Sequence, residues 1–493
     1  MPLADPPTPL HRIVMACDFF YPRVGGVEQH IWSLAHHLRA RGHEVAIITG
    51  RFAPPPTASH APWPRVGVRY MSGGLRVYHL PHLPMADQAS LPTYFGLLPL
   101  LRAILLRERA TLAHGHAATS VFTHDFLLCA RALGYPCVYT DHSLFGARDF
   151  ASICVNKYLS FTLRGVSAAV AVSQVARENL CRRAGLPPRL VHAIPNAVDG
   201  PAFRPPPGDG ARCPRTVVML SRLVYRKGVH LAVELIPRAA ARWPHLRFLI
   251  GGDGPQRSAL EAMRERWGLA GRVQLLGAVP HAEVPALLHR GAIFLNCSLT
   301  ESFCMAILEA ACAGCHVVST AVGGVPEVLP PHMVTLSAEA SAEALLEALA
   351  LALPRAAAVD AAAQHEEAAR LYTWPAVAAR TEALYDVVAA GAPQPLAERF
   401  LGLLALGPVF GPIAAIIVAL LHIIVAALDV VCPAEDLDPA LPSPSGEELR
   451  RALGGGGGGG RGGGVGAEDA AVGARLDAHL RASGMGHLAL PPA

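Results

Sequence analysis

Apolar positions along this chain alternate between two spacings. Ile13 to Cys17 form a short continuous run. A loop ending in Gly25-Gly26 follows, and then Val27, Ile31, Leu34, Ala35 and Leu38 recur at three- and four-residue steps. The run predicts a buried strand and the recurrence an amphipathic helix. Gly42 stops that helix and Glu44 to Thr49 resume as a strand, so the first fifty residues predict a parallel βαβ unit with a right-handed crossover. The alternation continues through Leu112 to His114, a helix near Val121 to Leu133, and the strands Cys137 to Thr140 and Ala168 to Val172, with Ser173 as a helix cap. One open α/β sheet is implied.

The stretch from Asp199 to Pro214 is rich in proline and glycine, the composition of a linker. Beyond it a second series begins: Thr216 to Leu220, Arg247 to Ile250, Val273 to Leu276, Ile293 to Asn296 and Val317 to Thr320 are strand-like, each alternating with a helical pattern. The fold class predicted is α/β, with two doubly wound, Rossmann-like domains (residues 12–199 and 216–390), a linker over 200–215 and a cleft between the domains. Such sheets bind ligands beyond the carboxyl ends of their strands. Residues 400–428 contain no Asp, Glu, Lys or Arg. A helix over them would reach roughly 43 Å against a hydrocarbon core of about 30 Å, which predicts a transmembrane or membrane-embedded segment. The alternative is a buried helix pair broken at Gly407-Pro408 and Gly411-Pro412. Arg399 precedes the segment and Asp429, Glu435, Asp436 and Asp438 follow it, which places the preceding body on the cytoplasmic side. Residues 433–493, with seven consecutive glycines at Gly454 to Gly460, predict a disordered tail.

With 493 residues, 52% hydrophobic and 16% charged, the chain is long and apolar enough for two or three packed domains. A net charge of +4 without a long basic run excludes nucleic acid as the default partner. Eleven scattered cysteines, an odd number, predict free thiols in a reducing compartment. Cys312 and Cys315 lack a second ligand pair and read as a packed helix end closed by Gly314. Residues 1–12 lack the basic start and apolar middle of a signal peptide, so the body is expected to begin in the cytosol.

Candidate chemistry gathers at predicted strand ends. Glu301 and Glu309 flank Ser302, Phe303 and Cys304 after the strand ending at Asn296. On an ideal helix they would lie about 12 Å apart along the axis and about 80° apart around it, which suits an elongated ligand better than one ion. A sugar nucleotide is such a ligand, with hydroxyls for the acids and phosphate charge for helix-start amides. A solvated helix start with one unrelated acid is the ordinary alternative. Arg222 and Lys227 follow the first strand of the second domain, where two cations could neutralise a departing diphosphate or simply form a basic surface cluster. Gly25-Gly26, Gly251-Gly-Asp-Gly254 and Gly323-Gly-Val-Pro-Glu327 lie at further strand ends, where glycine lets backbone approach phosphate. His142 follows the strand ending at Thr140, where it can hydrogen-bond a sugar or titrate near neutral pH.

Taken in this order, the Gly25-Gly26 loop, Arg222 and Lys227, Gly251-Gly-Asp-Gly254, the E-x7-E from Glu301 to Glu309, and Gly323-Gly-Val-Pro-Glu327 resemble the family 4 retaining glycosyltransferases of GT-B fold, over residues 12–390. More narrowly, the segments 17–26, 140–146, 194–199, 221–228 and 300–310, with one apolar C-terminal segment, look like the family of phosphatidylinositol N-acetylglucosaminyltransferase catalytic subunits. The resemblance implies an acceptor-side first domain and a donor-binding second domain. It implies transfer of N-acetylglucosamine (GlcNAc) from UDP-GlcNAc to phosphatidylinositol, with retention and without a metal or other cofactor. This is the first step of glycosylphosphatidylinositol (GPI) anchor synthesis, and the chain would sit in a multi-subunit complex as a single-pass protein of the endoplasmic reticulum membrane, its body on the cytosolic face. Carried over position by position, Glu309 would hold the ribose and Glu301 the donor sugar. Ser302, Phe303 and Cys304 would offer amides, Arg222 and Lys227 would hold the diphosphate, His142 would contact the transferring sugar, and Gly25 and Gly26 would admit the phosphates. Many relatives carry glycine where Cys304 stands. Arg23 and Lys157 are candidates for the lipid phosphate, with a solvated surface charge as the ordinary reading of each. Two rival readings remain: a transferase of the same fold with another lipid or glycan acceptor, and a non-catalytic membrane scaffold.

Overall fold

The structure, a computed structural model, describes residues 10–21, 25–51, 66–81, 84–86, 89–90, 92–146, 150–206, 213–392 and 394–440. Two units divide the chain. The first takes residues up to Ala171, Arg177–Ile194 and everything from Ala378 onward, and the second takes Val172–Ala176 and Pro195–Val377.

In the first unit the strands and helices run β1 (Arg12–Ala16), α1 (Gly26–Ala40), β2 (Glu44–Gly50), β3 (Gly67–Met71), β4 (Leu75–Leu80), β5 (Pro84–Ala86), β6 (Ala89–Ser90), α2 (Leu98–Arg107), β7 (Leu112–His116), α3 (Val121–Ala132), β8 (Cys137–Asp141), α4 (Phe150–Thr162), β9 (Ala168–Ala171), α5 (Gln174–Ala184) and β10 (Val191–Ala193). Eight of these strands form one sheet in the order β10-β9-β8-β7-β1-β2-β4-β3. Every pairing is parallel except β3 with β4 at the edge. β1 is the strand from which the order runs outward in both directions. Ser173 caps α5 as predicted, its hydroxyl accepting from the Ala176 amide at 3.1 Å.

The second unit contains β11 (Cys213–Leu220), α6 (Val229–Arg242), β12 (Arg247–Gly251), α7 (Arg257–Arg266), β13 (Val273–Gly277), α8 (Val284–Leu288), β14 (Gly291–Asn296), α9 (Met305–Cys312), β15 (His316–Thr320), β16 (Val334–Ser337), α10 (Ala342–Ala357) and α11 (Ala361–Leu371). Its six strands are all parallel in the order β13-β12-β11-β14-β15-β16, the doubly wound 3-2-1-4-5-6 arrangement. Both faces are covered, which is why the strands read as unbroken apolar runs. Val217 and Ile293 face a core with Leu235 and Leu349, while their neighbours Val218 and Phe294 face another with Ile307 and Leu308.

Helix α12 (Trp374–Ala390) carries the chain from the second unit back into the first. By sequence all of 216–390 reads as one domain. The structure instead fastens Ala378 onward to the first unit, where Asp386 meets His11 at 2.9 Å and the Tyr385 hydroxyl lies 2.7 Å from His114 Nδ1. Of the predicted linker, residues 200–203 form a short 3-10 turn in the second unit, and 207–212 lie outside the described residues.

The apolar segment 400–428 is two helices, α13 (Leu396–Leu404) and α14 (Phe410–Val431). They part where Gly407 adopts φ +124 and Pro408 lacks an amide hydrogen. Among the described residues α14 is the one helix long and apolar enough to cross a bilayer, its 22 residues spanning about 33 Å. Asp429 lies within the last turns of α14, exposed on one side and paired with Arg102 of α2 at 2.6 Å. The tail beyond residue 440, with its glycine run, and Arg23 lie outside the described residues.

Candidate functional site

In the second unit the strand order reverses between β11 and β14, so the loops leaving their carboxyl ends diverge and leave a crevice. Arg222 and Lys227 stand on the first loop and Glu301 on the second. Gly228 joins the two: at φ +68, a Cβ on it would lie 1.8 Å from the Cys297 carbonyl oxygen, so only glycine permits the approach. The Leu299 amide donates to the Arg226 carbonyl at 2.9 Å and holds the loops in register. Across this seam the Lys227 ammonium meets the Glu301 carboxylate at 2.5 Å, and Ser298 Oγ lies 2.7 Å from the same carboxylate oxygen. Burial works against the charged amine, but Glu301 outweighs it and the Lys227 pKa is raised.

Glu301 does not share a helix with Glu309, contrary to the helical spacing considered for the pair. Helix α9 starts at Met305, and Cys304 before it adopts φ +71, ψ 79, a left-handed conformation that cannot continue a helix backwards. Among the described residues no side chain caps the first turn of α9, so its amides point toward the loop that carries Glu301. Glu309 alone is on the helix, buried, with His281 Nε2 3.5 Å from its carboxylate. The bond to Glu309 is the chief cause of a raised His281 pKa. Ser302 and Phe303 are buried, the Phe303 ring set edge-on to Tyr372. Arg222 is exposed, with no side-chain partner among the described residues. Gly252 owes its residue type to packing rather than to phosphate, since a Cβ there would lie 1.8 Å from the Ser221 carbonyl oxygen.

In the first unit Gly25 precedes α1 in an extended conformation and Gly26 is its first residue. The Glu28 carboxylate folds back over this turn, 2.5 Å from where a Gly25 Cβ would sit. His142 follows β8 and His116 ends β7, so adjacent strands bring their rings together, His116 Nδ1 lying 3.3 Å from His142 Nε2. His30 of α1 completes the group, its ring 4.6 Å from that of His142. Burial first, and then the neighbouring histidines, hold His142 and His116 well below the usual histidine range. His142 is therefore neutral, which corrects the expectation that it titrates near pH 7. The three rings offer nitrogens within 4.8 Å of one another, a spacing compatible with a metal ion, and among the described residues they are the one such group.

The structure thus brings Lys227 and Glu301 into contact and places Ser302, Phe303, Cys304 and Glu309 on the same loop and helix. Sequence reasoning missed Ser298, His281, His30 and His116. The signal available was positional: Ser298, His281 and His116 end or follow strands at the carboxyl edge, as His142 does.

Two doubly wound sheets of this order, with a partly buried acid–lysine pair at the switch point of the second, define a GT-B glycosyltransferase. The fold matches sucrose-phosphate synthase from Thermosynechococcus elongatus with a TM-score of 0.62 at 21% identity, over 77% of this chain and 99% of that one. The family of glycosyl transferases group 1 matches residues 214–354, and the family PIGA (GPI anchor biosynthesis) matches residues 60–149. A phosphatidylinositol N-acetylglucosaminyltransferase subunit from Arabidopsis thaliana is 44% identical over 89% of this chain and 95% of its own length. The Homo sapiens protein of the same name is 43% identical over 88% of each. The chain belongs to the PIGA family of phosphatidylinositol N-acetylglucosaminyltransferase subunits.

Proposed function

We propose that this chain transfers GlcNAc from UDP-GlcNAc to phosphatidylinositol with retention, the first step of GPI anchor synthesis. The observation that carries the reading is the Lys227–Glu301 pair at the carboxyl edge of β11 and β14 in a chain of this family. A departing diphosphate carries charge that must be met where it develops. Lys227 has three donor protons, so one can serve Glu301 while the others meet phosphate oxygens. Arg222, exposed nearby, supplies a second, planar cation. The uncapped first turn of α9, with the amides of Ser302 to Cys304 before it, adds partial positive charge.

Glu301 accepts from hydroxyls of the donor sugar and Glu309, oriented by His281, from those of the ribose. His142, neutral, hydrogen-bonds the transferring sugar, and the Gly25-Gly26 turn admits the phosphates. Attack occurs on the face that the diphosphate leaves, so the demand is for charge stabilisation rather than for a protein nucleophile, and these cations replace a metal. The chain works within a multi-protein complex, in keeping with relatives that are themselves named as subunits. α14 anchors it in the endoplasmic reticulum membrane with its body in the cytosol.

Cells lacking this transferase provide the test. Expressing the chain should restore surface GPI-anchored proteins, and Glu301→Ala should not. A labelled product from UDP-GlcNAc that fails to extract as glucosaminylated phosphatidylinositol would sink the acceptor assignment.

A further inference from the structure

Beside α14 the first unit holds a recess of about 510 Å³ between that helix and α4, within the size range of small-molecule sites. Ile153 and Phe161 line one wall, Phe410, Ile413 and Ile417 the other, and among the described residues Lys157 is the one charged side chain in the lining. Lys157 is exposed and has no ion-pair partner among the described residues. The α14 wall is fixed in place. Arg102 binds its far end through Asp429 and the Cys432 carbonyl, Arg164 donates to the Gly402 carbonyl of α13 at 2.9 Å, and Phe161 meets Phe410 edge-on.

The exposed flank of α14 continues from the recess through Ile413, Ile416, Leu420 and Ile423. A helix of this length and apolarity belongs in hydrocarbon, so the recess opens where lipid chains run. Its chemistry is that of an amphiphile: apolar walls for a chain and a cation at the rim for an anionic head.

We propose that this recess binds an acyl chain of the acceptor phospholipid, with Lys157 beside the lipid phosphate. This rests on the reading that phosphatidylinositol is the acceptor, and it adds the place where the enzyme grips the lipid. Bilayer depth and headgroup charge then act together to present the inositol.

The test uses the membrane-embedded enzyme and phosphatidylinositol carrying a photoactivatable diazirine on one acyl chain. Crosslinks are expected in the peptides spanning residues 153–161 and 410–417, competed by phosphatidylinositol at least about fivefold better than by phosphatidylcholine. Ile413→Trp, which fills the recess, should raise KM for long-chain phosphatidylinositol about tenfold while leaving KM for UDP-GlcNAc and for a water-soluble short-chain phosphatidylinositol unchanged. Ile153→Trp, on the opposite wall, should do the same, and turnover of the short-chain acceptor reports that each variant is folded. Lys157→Glu should weaken crosslinking of phosphatidylinositol and spare that of phosphatidylcholine. Crosslinks elsewhere, equal effects on both acceptors, or equal competition by the two lipids would overturn the proposal. So would loss of partner subunits on filling the recess, because a protein helix would then be its occupant. Should the wild-type enzyme glycosylate neither acceptor, the functional reading fails, while crosslinking still reports separately on lipid binding.

Discussion

Removing the charge of Lys227 should damage folding and chemistry by different routes, and a double-mutant cycle with Glu301 separates them. The pair is close and mostly buried, with side-chain exposures of 20% for the lysine and 12% for the glutamate. Two charges about 4 Å apart attract by about 4 kcal/mol at an effective dielectric near 20, much of which offsets desolvation. Deleting one partner strands the other. Fully buried pairs then lose about 3–5 kcal/mol, and the remaining exposure here reduces the expectation to about 2 kcal/mol. For a unit of this size that is a fall in melting temperature of about 4–8 °C for Lys227→Met or Glu301→Gln alone. Combining them removes both charges, so the double variant should be more stable than the sum of the single losses by about 1–2 kcal/mol. Transfer should behave otherwise. A lost fixed charge at a departing group costs about 2.7–4 kcal/mol, or 10²–10³ in turnover, and neutralising Glu301 as well cannot return it. Thermal denaturation of the detergent-solubilised enzyme and radiolabelled GlcNAc transfer measure the two quantities on the same preparations. Recovery of transfer in the double variant to within about tenfold of wild type would show that the pair only supports the loops, and the charge role would be refuted.

Glu309→Gln should weaken UDP binding by about 10–100-fold, the worth of a hydrogen bond to a charged group, with kcat within about threefold; calorimetric titration with UDP checks this. Gly252→Ala should abolish accumulation of folded protein, since its Cβ would lie 1.8 Å from a carbonyl oxygen, whereas Gly42→Ala, at φ +98 with nothing within 4 Å, should cost only about 1 kcal/mol by thermal denaturation. Acidification from pH 6.5 to 4.5 should lower the melting temperature. Burial depresses His79 and His124 to about 4, His114 to about 3, and His116 and His142 well below the usual range, so the unfolded chain binds more protons at these sites and stability falls with pH. The carboxyls of Asp18, raised by burial to about 7, Asp125, raised to about 6, and Asp141, also raised, act with the opposite sign. Five histidines outweigh three acids, and a melting temperature that rises over this range would contradict the burial of the histidine group.

What the sequence made legible follows from what each feature depends on. β11 and β14 are covered on both faces, so Val217, Val218, Ile293 and Phe294 announce themselves as continuous apolar runs wherever their partners lie. β3 and β4 escaped because Arg69, Arg76 and His79 interrupt the run, and their burial is made tolerable by distant partners: Arg76 is held by Glu108, thirty-two residues away. No local pattern encodes that pairing. The same distinction divides the site. Lys227, Glu301 and Glu309 were found because each stands in a local motif at a strand end, but the contact between Lys227 and Glu301 spans 74 residues and depends on a loop seam that Gly228 alone makes possible.

The histidine group carries this furthest. His30, His116 and His142 come from a helix and two strands, and only the parallel register of β7 with β8 brings the last two side by side. Of the three, His142 alone stands out in the sequence, and there as a group able to titrate near neutrality. Its actual state is set first by burial and then by His30 and His114, companions that spacing could not reveal: a lone histidine at an exposed strand end titrates near its ordinary pKa, whereas rings packed this closely cannot all be charged. His142 is thus a neutral hydrogen-bonding group by virtue of its burial and, after that, of its neighbours. Replacing His30 with glutamine, which keeps a polar contact but removes one repelling ring, should raise the pKa of His142, observable as a shifted imidazole resonance in a proton NMR titration. An unchanged His142 titration would mean that burial alone sets its state.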